Sequence, residues 1–266
     1  MAAAIIDVYR ALDQWAPFDT QMDFDNAGFL VGRGEREGRR VLVSLDITEA
    51  VAAEAGRWGA ELIVSHHPVI FHPVKALTDQ TSTGRTLLLL AEQGIGAVCA
   101  HTNLDAAQGG VNVCLAQALE LTDLEQLHQD GVDRSGQPYG IGRVGTAPQA
   151  GCSAAEFAAF IKEKLSACSV RFVETGRPVR RVAVGGGACA SMLSDALAAG
   201  CDTFVTADVK YDQYLEAKAL GINLMDAGHF ATEDVVCPAL VQFLSRHFPK
   251  VEVRRTESHR EAYDSV

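Results

Sequence analysis

The 266-residue sequence lacks the features that mark membrane and exported proteins. None of its apolar runs approaches the ~18 residues of a membrane-spanning helix. The sequence also opens without a basic segment, and Asp7 interrupts the first apolar stretch, which argues against a secretory signal. We therefore predict a cytoplasmic protein that is not attached to a membrane.

Positive charge is scarce as well. The sequence has 23 Lys and Arg residues against 34 Asp and Glu residues, which gives a formal net charge of −11. Its basic residues form no long cluster. Nucleic acids and anionic membrane surfaces are bound by concentrated positive charge, so neither is an expected partner.

Cysteine is present, but not in paired spacing. The seven cysteines are an odd number, and no two of them are spaced as Cys-x-x-Cys. This count and spacing do not favour a disulfide framework or a cysteine-ligated zinc site. Most of the cysteines lie in apolar segments, where we expect reduced thiols that pack as small core side chains.

What the sequence does contain is a regular alternation of strand and helix patterns. Hydrophobic residues make up 48% of the chain, which is enough for a large core. An amphipathic helix is predicted over residues 5–15, before Pro17. Further along, strands are predicted at residues 40–46, 62–65 and 95–100, with helices at 48–60 and 84–94 between them. Because strands and helices alternate, the fold class is predicted to be α/β with mostly parallel sheets.

A second half of the chain repeats this pattern. Its predicted elements are a strand at 180–184, a helix at 191–199, a strand at 201–206, a helix at 211–220 and a strand at 222–225. A section richer in Gly and Pro, residues 121–148, separates the two patterns and contains the boundary. We therefore predict two related α/β halves, residues 1–125 and 126–266, which are diverged copies of one unit.

The candidate chemistry lies at the ends of predicted strands. In open parallel sheets, ligands bind beyond the carboxyl ends of the strands. His66 and His67 follow one such strand, and Pro68 ends it, so that both side chains can turn into a single site. Taken alone, the pair is equally compatible with two exposed or hydrogen-bonded histidines.

The third strand of each half supplies further groups. In the first half it runs into His101, with Asp105 four residues later, and in the second it runs into His229, with Glu233 four residues later. Residues four apart lie on one face of a helix, so both side chains of each pair can reach the same metal ion. Together with the adjacent histidine pair, these are more groups than one tetrahedral ion needs. We predict two divalent ions, of zinc, iron or manganese, in the cleft between the halves.

Four motifs, in order along almost the whole chain, resemble those of one known family. They are Phe-Asp-Asn-Ala-Gly-Phe-Leu-Val-Gly at 24–32, Ser-His-His-Pro at 65–68, His-Thr-Asn-Leu-Asp at 101–105 and Asp-Ala-Gly-His-Phe-Ala-Thr-Glu at 226–233. The family is that of the Nif-three-like dinuclear metal-centre proteins, often named GTP cyclohydrolase I type II homologues. The resemblance implies a toroidal homohexamer whose sites face an internal cavity. It also implies five metal ligands, with His101 close by: His66, His67, Asp105, His229 and Glu233.

By this resemblance we expect a metal-dependent hydrolase that uses a hydroxide bridging two ions as its nucleophile. His101 and Glu233 are the expected catalytic residues, and His101 would shuttle the proton. The family naming points to a nucleotide, or another small molecule, as the substrate. The alternative function is a metal-binding, metal-delivery or regulatory protein without turnover.

Several residues keep two interpretations. Asp212 stands where many relatives place a histidine, and it is either part of the site or an ordinary first-turn helix carboxylate. The glycine run at 185–187 is either a tight turn or a phosphate-binding loop. Asp46 and Asp208 close strands and either cap the structure or assist the site. The remaining histidines are expected to be surface residues: His72, His128, His247 and His259.

Overall fold

The computed structural model describes residues 3–266, and within them the chain divides into two compact units. The first unit contains the residues up to Ala107 together with Cys237–Arg260, and the second contains Gln108–Val236 together with Glu261–Val266. The sequence places the boundary between residues 125 and 126, whereas the structure divides the chain after Ala107 and returns Cys237–Arg260 to the first unit.

The first unit begins with two short strands around a helix and continues with alternating strands and helices. Its elements up to Ala107 are β1 (Ala3–Ala4), α1 (Ile5–Trp15), a 3-10 helix (Phe18–Thr20), β2 (Gly28–Val31), β3 (Glu37–Gly38), β4 (Arg40–Ser44), α2 (Glu49–Trp58), β5 (Leu62–Ser65), α3 (Ser82–Gln93), β6 (Gly96–Cys99) and α4 (Thr102–Ala106). The predicted helix at 5–15 and the three predicted strands are all present.

The second unit follows, and the chain then returns to the first. The elements of the second unit are α5 (Val111–Ala118), β7 (Thr122–Gln126), β8 (Gly131–Val132), β9 (Pro138–Tyr139), β10 (Arg143–Thr146), α6 (Ala154–Lys164), β11 (Arg171–Val173), β12 (Arg181–Val184), a 3-10 helix (Ala190–Met192), α7 (Leu193–Ala198), β13 (Thr203–Thr206), α8 (Tyr211–Leu220), β14 (Asn223–Asp226), α9 (His229–Glu233) and a 3-10 helix (Asp234–Val236). The returning elements are α10 (Cys237–His247) and β15 (Glu252–Arg255).

The sheet of the first unit has the strand order β15-β4-β5-β6-β2. β15, β4, β5 and β6 run parallel to one another, and β2 is antiparallel to β6. One face of this sheet packs against α2 and α3, where Leu42, Ile63 and Ala97 share a buried cluster with Val51 and Leu90. Side chains alternate along a strand, so the neighbours of Leu42 in β4 face the other side, where α10 contacts the same strand.

Local capping explains where the helices beside this sheet begin and end. The Thr48 side chain accepts a hydrogen bond from the Val51 amide at the start of α2. Thr81 caps α3 in the same way. Gly59 and Gly94 end the two helices with φ values of 75° and 66°, in the left-handed region that glycine adopts without a steric penalty.

The sheet of the second unit has the order β11-β14-β13-β12-β10-β7. Its centre, β12-β13-β14, is parallel, and antiparallel strands flank it on both sides. Two buried clusters cover its faces, one around Phe157 of α6 and one around Phe204 of β13. A capping box begins α6, because Ser153 and Glu156 each accept the backbone amide of the other.

The two units share one arrangement, which confirms two related α/β halves with mostly parallel sheets. In each, three consecutive parallel strands lie side by side, β4-β5-β6 and β12-β13-β14, and an antiparallel strand borders the third. Each third strand is followed by a short helix, α4 or α9, with the predicted histidine at or just before its start and the predicted carboxylate at or near its end. Within residues 3–266, no helix combines the length and hydrophobicity that crossing a membrane requires.

Candidate metal centre

The end of β5 and the start of α4 bring three histidines together in the first unit. His66 and His67 continue the line of β5, and their amides donate to Ser44 and Leu45 at 3.3 and 2.9 Å. His101 immediately precedes α4. Each of the three offers a ring nitrogen, and these nitrogens lie within 4.8 Å of one another. The cluster could therefore hold a metal ion, since neutral imidazole is the commonest metal ligand in proteins.

His66 is fully buried and its ring orientation is fixed by the backbone. Its Nδ1 lies 2.8 Å from the carbonyl oxygen of Ala100, and because a carbonyl only accepts, Nδ1 is the donor. The other ring nitrogen, Nε2, lies 3.6 Å from Oδ1 of Asp105 in α4. The predicted helical turn is present, since the Asp105 amide donates to the His101 carbonyl at 3.0 Å. Two potential ligand atoms thus face each other across a buried space.

His67 is oriented by a carboxylate that a second histidine also contacts. Its Nδ1 lies 2.8 Å from Oδ1 of Asp46, and Oδ2 of Asp46 lies 2.8 Å from Nε2 of His259. Burial alone would raise the pKa of Asp46, but the hydrogen bonds from His259 and His67 outweigh it and hold this pKa well below its usual range. The Asp46 carboxylate is therefore an ionised bridge that joins the two histidines.

His259 corrects one of the sequence-based expectations. It was expected on the surface with three other histidines, and His72, His128 and His247 are indeed exposed. The His259 side chain, however, is only 13% exposed. Glu54 of α2 holds the preceding segment in place, because it accepts the amides of Glu257 and Ser258. The parallel pairing of β15 with β4 leads this segment towards Asp46, and no local pattern in the sequence indicates that pairing.

His101 is held by Asp25, a residue of the first motif to which the sequence assigned no role. Nδ1 of His101 lies 2.7 Å from Oδ1 of Asp25, and Oδ2 of Asp25 accepts both the amide and the hydroxyl of Thr102. Burial would raise the pKa of Asp25, but the hydrogen bonds from His101 and Thr102 lower it to about 2. Asp25 therefore stays ionised and fixes the His101 ring.

A cavity of about 170 Å³ opens beside His67. The residues that line it include Thr48, Ser82, Thr83 and Thr86, together with Asp46. Hydroxyl groups both donate and accept hydrogen bonds, so this lining suits water or a hydroxylated part of a small molecule. Asp46 thus contacts both the histidine and the cavity, whereas the sequence left its role open.

The second unit has one histidine and one carboxylate at the two ends of α9. Nε2 of His229 lies 2.9 Å from Oε2 of Glu233, which is buried. Nδ1 of His229 lies 2.6 Å from Oδ2 of Asp208, the residue that follows β13 by two positions. Asp208 has a φ of 51°, an uncommon value for a residue other than glycine. The contact with His229 supports the second interpretation of Asp208, as a residue that assists the site.

The buried carboxylate of Asp226, at the end of β14, connects the loops that carry Asp208 and His229. Oδ2 of Asp226 accepts the Val209 amide and the Tyr214 hydroxyl, each at 3.2 Å, and also contacts Arg171. Its Oδ1 accepts the amide of Gly228 at 3.2 Å. Val209 follows Asp208 and Gly228 precedes His229, so Asp226 fixes both backbones that position the His229 ring. Sequence reasoning missed this role, because three of the four donors lie 12 to 55 positions away from Asp226.

The glycine run at 185–187 is packed against these residues and does not present its amides to a phosphate. The amides donate to Val205, Asn112 and Thr232, respectively, at 2.9 to 3.0 Å. A Cβ on Gly187 would lie 2.1 Å from Oε1 of Glu233. The run therefore allows the close approach of the Glu233 carboxylate, and the phosphate-binding interpretation is not supported.

Asp212 lies away from the contacts described above. It is exposed in the first turn of α8, where a carboxylate interacts favourably with the positive end of the helix dipole. This position favours the interpretation of Asp212 as an ordinary first-turn helix carboxylate.

Comparisons with known proteins agree along nearly the full length of the chain. The sequence profile of the family described as Duf34/NIF3 (NGG1p interacting factor 3) matches residues 3–262. A protein of Clostridium perfringens named GTP cyclohydrolase 1 type 2 homolog is 32% identical over 228 residues, which cover 85% of this chain and 86% of that protein. One of the same name from Streptomyces coelicolor is 36% identical over 231 residues, which cover 85% of this chain and 80% of that protein.

A solved structure shares the fold as well. The crystal structure of a Bacillus cereus protein related to NIF3 matches this chain with a TM-score of 0.92 at 23% sequence identity. The match covers 100% of this chain and 99% of that one.

Proposed function

Because the chain belongs to the Duf34/NIF3 family, we propose that it is a metal-dependent hydrolase with a dinuclear centre. Five residues are the proposed ligands: His66, His67, Asp105, His229 and Glu233. Imidazole nitrogens and carboxylate oxygens suit borderline divalent ions such as zinc, iron and manganese. Three of the ligands come from the first unit and two from the second. On the family resemblance, we assign all five to one dinuclear centre.

The observation that carries this proposal is the common orientation of the histidine rings. In each of the four histidines, Nδ1 faces a backbone carbonyl or a carboxylate. This contact directs Nε2 to the other side of the ring, where it is proposed to bind an ion in the three ligand histidines and to carry the proton in His101. The pairs are His66 with Ala100, His67 with Asp46, His101 with Asp25 and His229 with Asp208. A ligand histidine almost always donates its other ring nitrogen in this way, because the contact fixes the tautomer and the direction of the ring.

When bound, divalent ions supply the Lewis acidity that makes water nucleophilic near neutral pH. His101 is proposed to accept and return the proton at Nε2, because Asp25 holds its Nδ1 and keeps the ring aimed at the cluster. Asp46 and Asp208 keep His67 and His229 in their ligand tautomers. Glu233 is proposed to act both as ligand and as a catalytic carboxylate.

The hydrolase proposal is tested with metal-loaded protein and GTP, the substrate that the names of the relatives suggest. We expect about two ions per chain by elemental analysis and a hydrolysed product by liquid chromatography. His67→Ala and Glu233→Ala should each lower both readings, while His128→Ala, a change at an exposed histidine, should lower neither. Full metal content in the first two variants would contradict the ligand assignment.

The same experiment separates the enzyme from the alternative function. The hydrolase proposal is excluded if fully loaded protein, given a broad panel of substrates, forms no more product than the His67→Ala control. Ready transfer of the bound metal to an acceptor would then favour metal delivery. On the family resemblance alone we also propose a toroidal homohexamer, which light scattering of the same preparation tests.

His259 gives a prediction that depends on its contact with Asp46. We expect His259→Ala to weaken metal affinity about tenfold, because Asp46 loses one of the two groups that hold it against His67. His259→Gln should recover most of that affinity, since its amide still offers a donor. Affinity is measured by competition of a chelator for Co²⁺, and the visible absorption of the bound ion reports the geometry of its ligands.

A matched control comes from the exposed histidine of α10. His247→Ala should leave Co²⁺ affinity unchanged, because His247 contacts only the Phe243 carbonyl of its own helix in the hydrogen bonds described. Equal affinities for wild-type protein and His259→Ala would show that the Asp46 carboxylate does not need His259.

A further inference from the structure

Two phenylalanines form a partly exposed aromatic strip that ends at His101. Phe24 is 63% exposed and Phe71 is 40% exposed. Their ring centroids lie 6.4 Å apart in an edge-to-face arrangement. The Phe71 ring in turn lies 6.0 Å from the His101 ring, again edge to face. The strip therefore leads from the surface to the histidine that the proposed mechanism uses for proton transfer.

The backbone on either side of the strip is tied to the same site. Asp25, next to Phe24, accepts the hydrogen bond from His101. The following residue, Asn26, donates from its side-chain amide to the carbonyl of Ile70 at 2.6 Å, immediately before Phe71. The segment that carries Phe24 is thus tied to His101 through Asp25, and the Asn26 hydrogen bond ties the segment before Phe71 to the same place.

The size of the strip distinguishes its possible occupants. At the quoted exposures, the two phenylalanine residues present at most roughly 200 Å² of accessible surface. A stable contact between two protein chains buries about 800 Å² on each partner, which is several times more. An area of this size instead matches one face of a small planar ring, and aromatic side chains bind such rings by stacking or edge contacts.

We propose that Phe24 and Phe71 bind the planar heteroaromatic ring of the substrate and hold it beside His101. This inference rests on the proposed function, since the ring must lie where a proton is transferred. Aromatic contact tolerates many rings, because every heterocyclic base has a π-face. The residues therefore define a substrate class, a small molecule built on a planar heteroaromatic ring, without selecting among purines, pyrimidines and pyridines.

Binding is tested on metal-loaded protein with three probes that differ in the ring: GTP, UTP and nicotinamide mononucleotide. Equilibrium dialysis gives the affinity, and saturation-transfer NMR shows which protons of the probe contact the protein. In wild-type protein, the strongest saturation transfer should be to the ring protons of at least one probe. In a double variant, Phe24→Ala with Phe71→Ala, affinity for that probe should fall at least about tenfold. Metal content should stay unchanged.

The control variant is Phe172→Ala, which removes a phenylalanine of the second unit that is 39% exposed. It should leave the affinity for every probe unchanged. Wild-type protein that binds none of the probes, or a double variant that binds them equally well, would overturn the inference. A change in oligomeric mass on the double substitution would also overturn it, because the strip would then be a contact between copies of the chain.

Turnover separates the failure of this inference from the failure of the proposed function. If wild-type protein binds a probe through its ring protons but hydrolyses no substrate, the aromatic site stands and the hydrolase proposal fails. If hydrolysis is intact in the double variant with an unchanged KM, the hydrolase proposal stands and the aromatic site fails.

Discussion

Replacing Gly187 with alanine is expected to weaken metal binding about a hundredfold. A Cβ at this position would lie 2.1 Å from Oε1 of Glu233 and 3.2 Å from Nε2 of His229. The first distance is far below any van der Waals contact, so the Glu233 carboxylate must move. Because Glu233 is buried, it cannot swing into solvent as a surface side chain would. The substitution therefore displaces one proposed ligand and crowds the other.

The backbone adds a smaller cost that a control variant isolates. Gly187 has a φ of 63°, and a residue with a Cβ in this left-handed region loses about 1 kcal/mol. Gly200 has a similar φ of 75°, but a Cβ there would meet no atom within 4 Å. Gly200→Ala should therefore lower the free energy of unfolding by about the same 1 kcal/mol and leave metal affinity unchanged.

Two measurements on each variant distinguish displacement of Glu233 from general destabilisation. Urea unfolding of metal-free protein gives the stability cost, and chelator competition gives the metal affinity. Wild-type metal affinity in Gly187→Ala would show that Glu233 is not a ligand, or that its position does not matter. A loss of affinity in Gly200→Ala as well would attribute the effect to general destabilisation.

The elements that sequence reasoning recovered are those that neighbouring residues determine. The bounds predicted for α8 are those observed, and the helix predicted at 48–60 is present and begins at a Thr48 cap. A cap depends on a side chain and an amide three residues away, so it can be identified within a short window. The resemblance to the Nif-three-like family, drawn from four short motifs, is confirmed by the profile match over residues 3–262.

Elements that depend on distant partners were missed. β15 contains Glu252 and two arginines, a polar pattern that does not indicate a strand, and it forms through parallel pairing with β4. β7 is similarly polar and pairs with β10 at the edge of its sheet. An edge strand has one neighbour and one exposed side, so its sequence carries a weak hydrophobic pattern. The division of the chain into units differs from the predicted one partly because β15 belongs to the first sheet.

The candidate site shows the same division between local and distant information. The histidine and carboxylate pairs at 101 and 105 and at 229 and 233 could be found, because each follows a strand and is spaced for one helical turn. The groups that hold the rings could not be assigned, since Asp25 lies 76 positions before His101 and His259 lies 213 positions after Asp46. The glycine run was ambiguous for a related reason, because only the fold reveals that Glu233 lies against it.

Replacing Asp25 with asparagine is expected to destabilise the metal-free protein by about 2 kcal/mol at pH 7. The pKa of Asp25 falls from its ordinary value of 3.8 to about 2 in the folded protein, and its side chain is not exposed to solvent. Folding therefore favours the ionised form. This stabilisation is fully present above pH 3.8 and disappears as the pH falls through about 2.

The pH dependence of the difference distinguishes this cause from simple loss of packing. The free energies of unfolding of wild-type protein and Asp25→Asn, from urea titrations in the presence of chelator, should differ most at neutral pH and converge below about pH 4. Asp23→Asn, a change at an exposed carboxylate two residues away, should follow the wild-type curve. A difference that stays constant down to pH 3 would mean that the Asp25 charge does not stabilise the fold.

In metal-loaded protein, Asp25→Asn should keep its metal and lose turnover about tenfold, because His101 is proposed to move the proton but not to bind an ion. Loss of the metal itself would instead place His101 among the ligands.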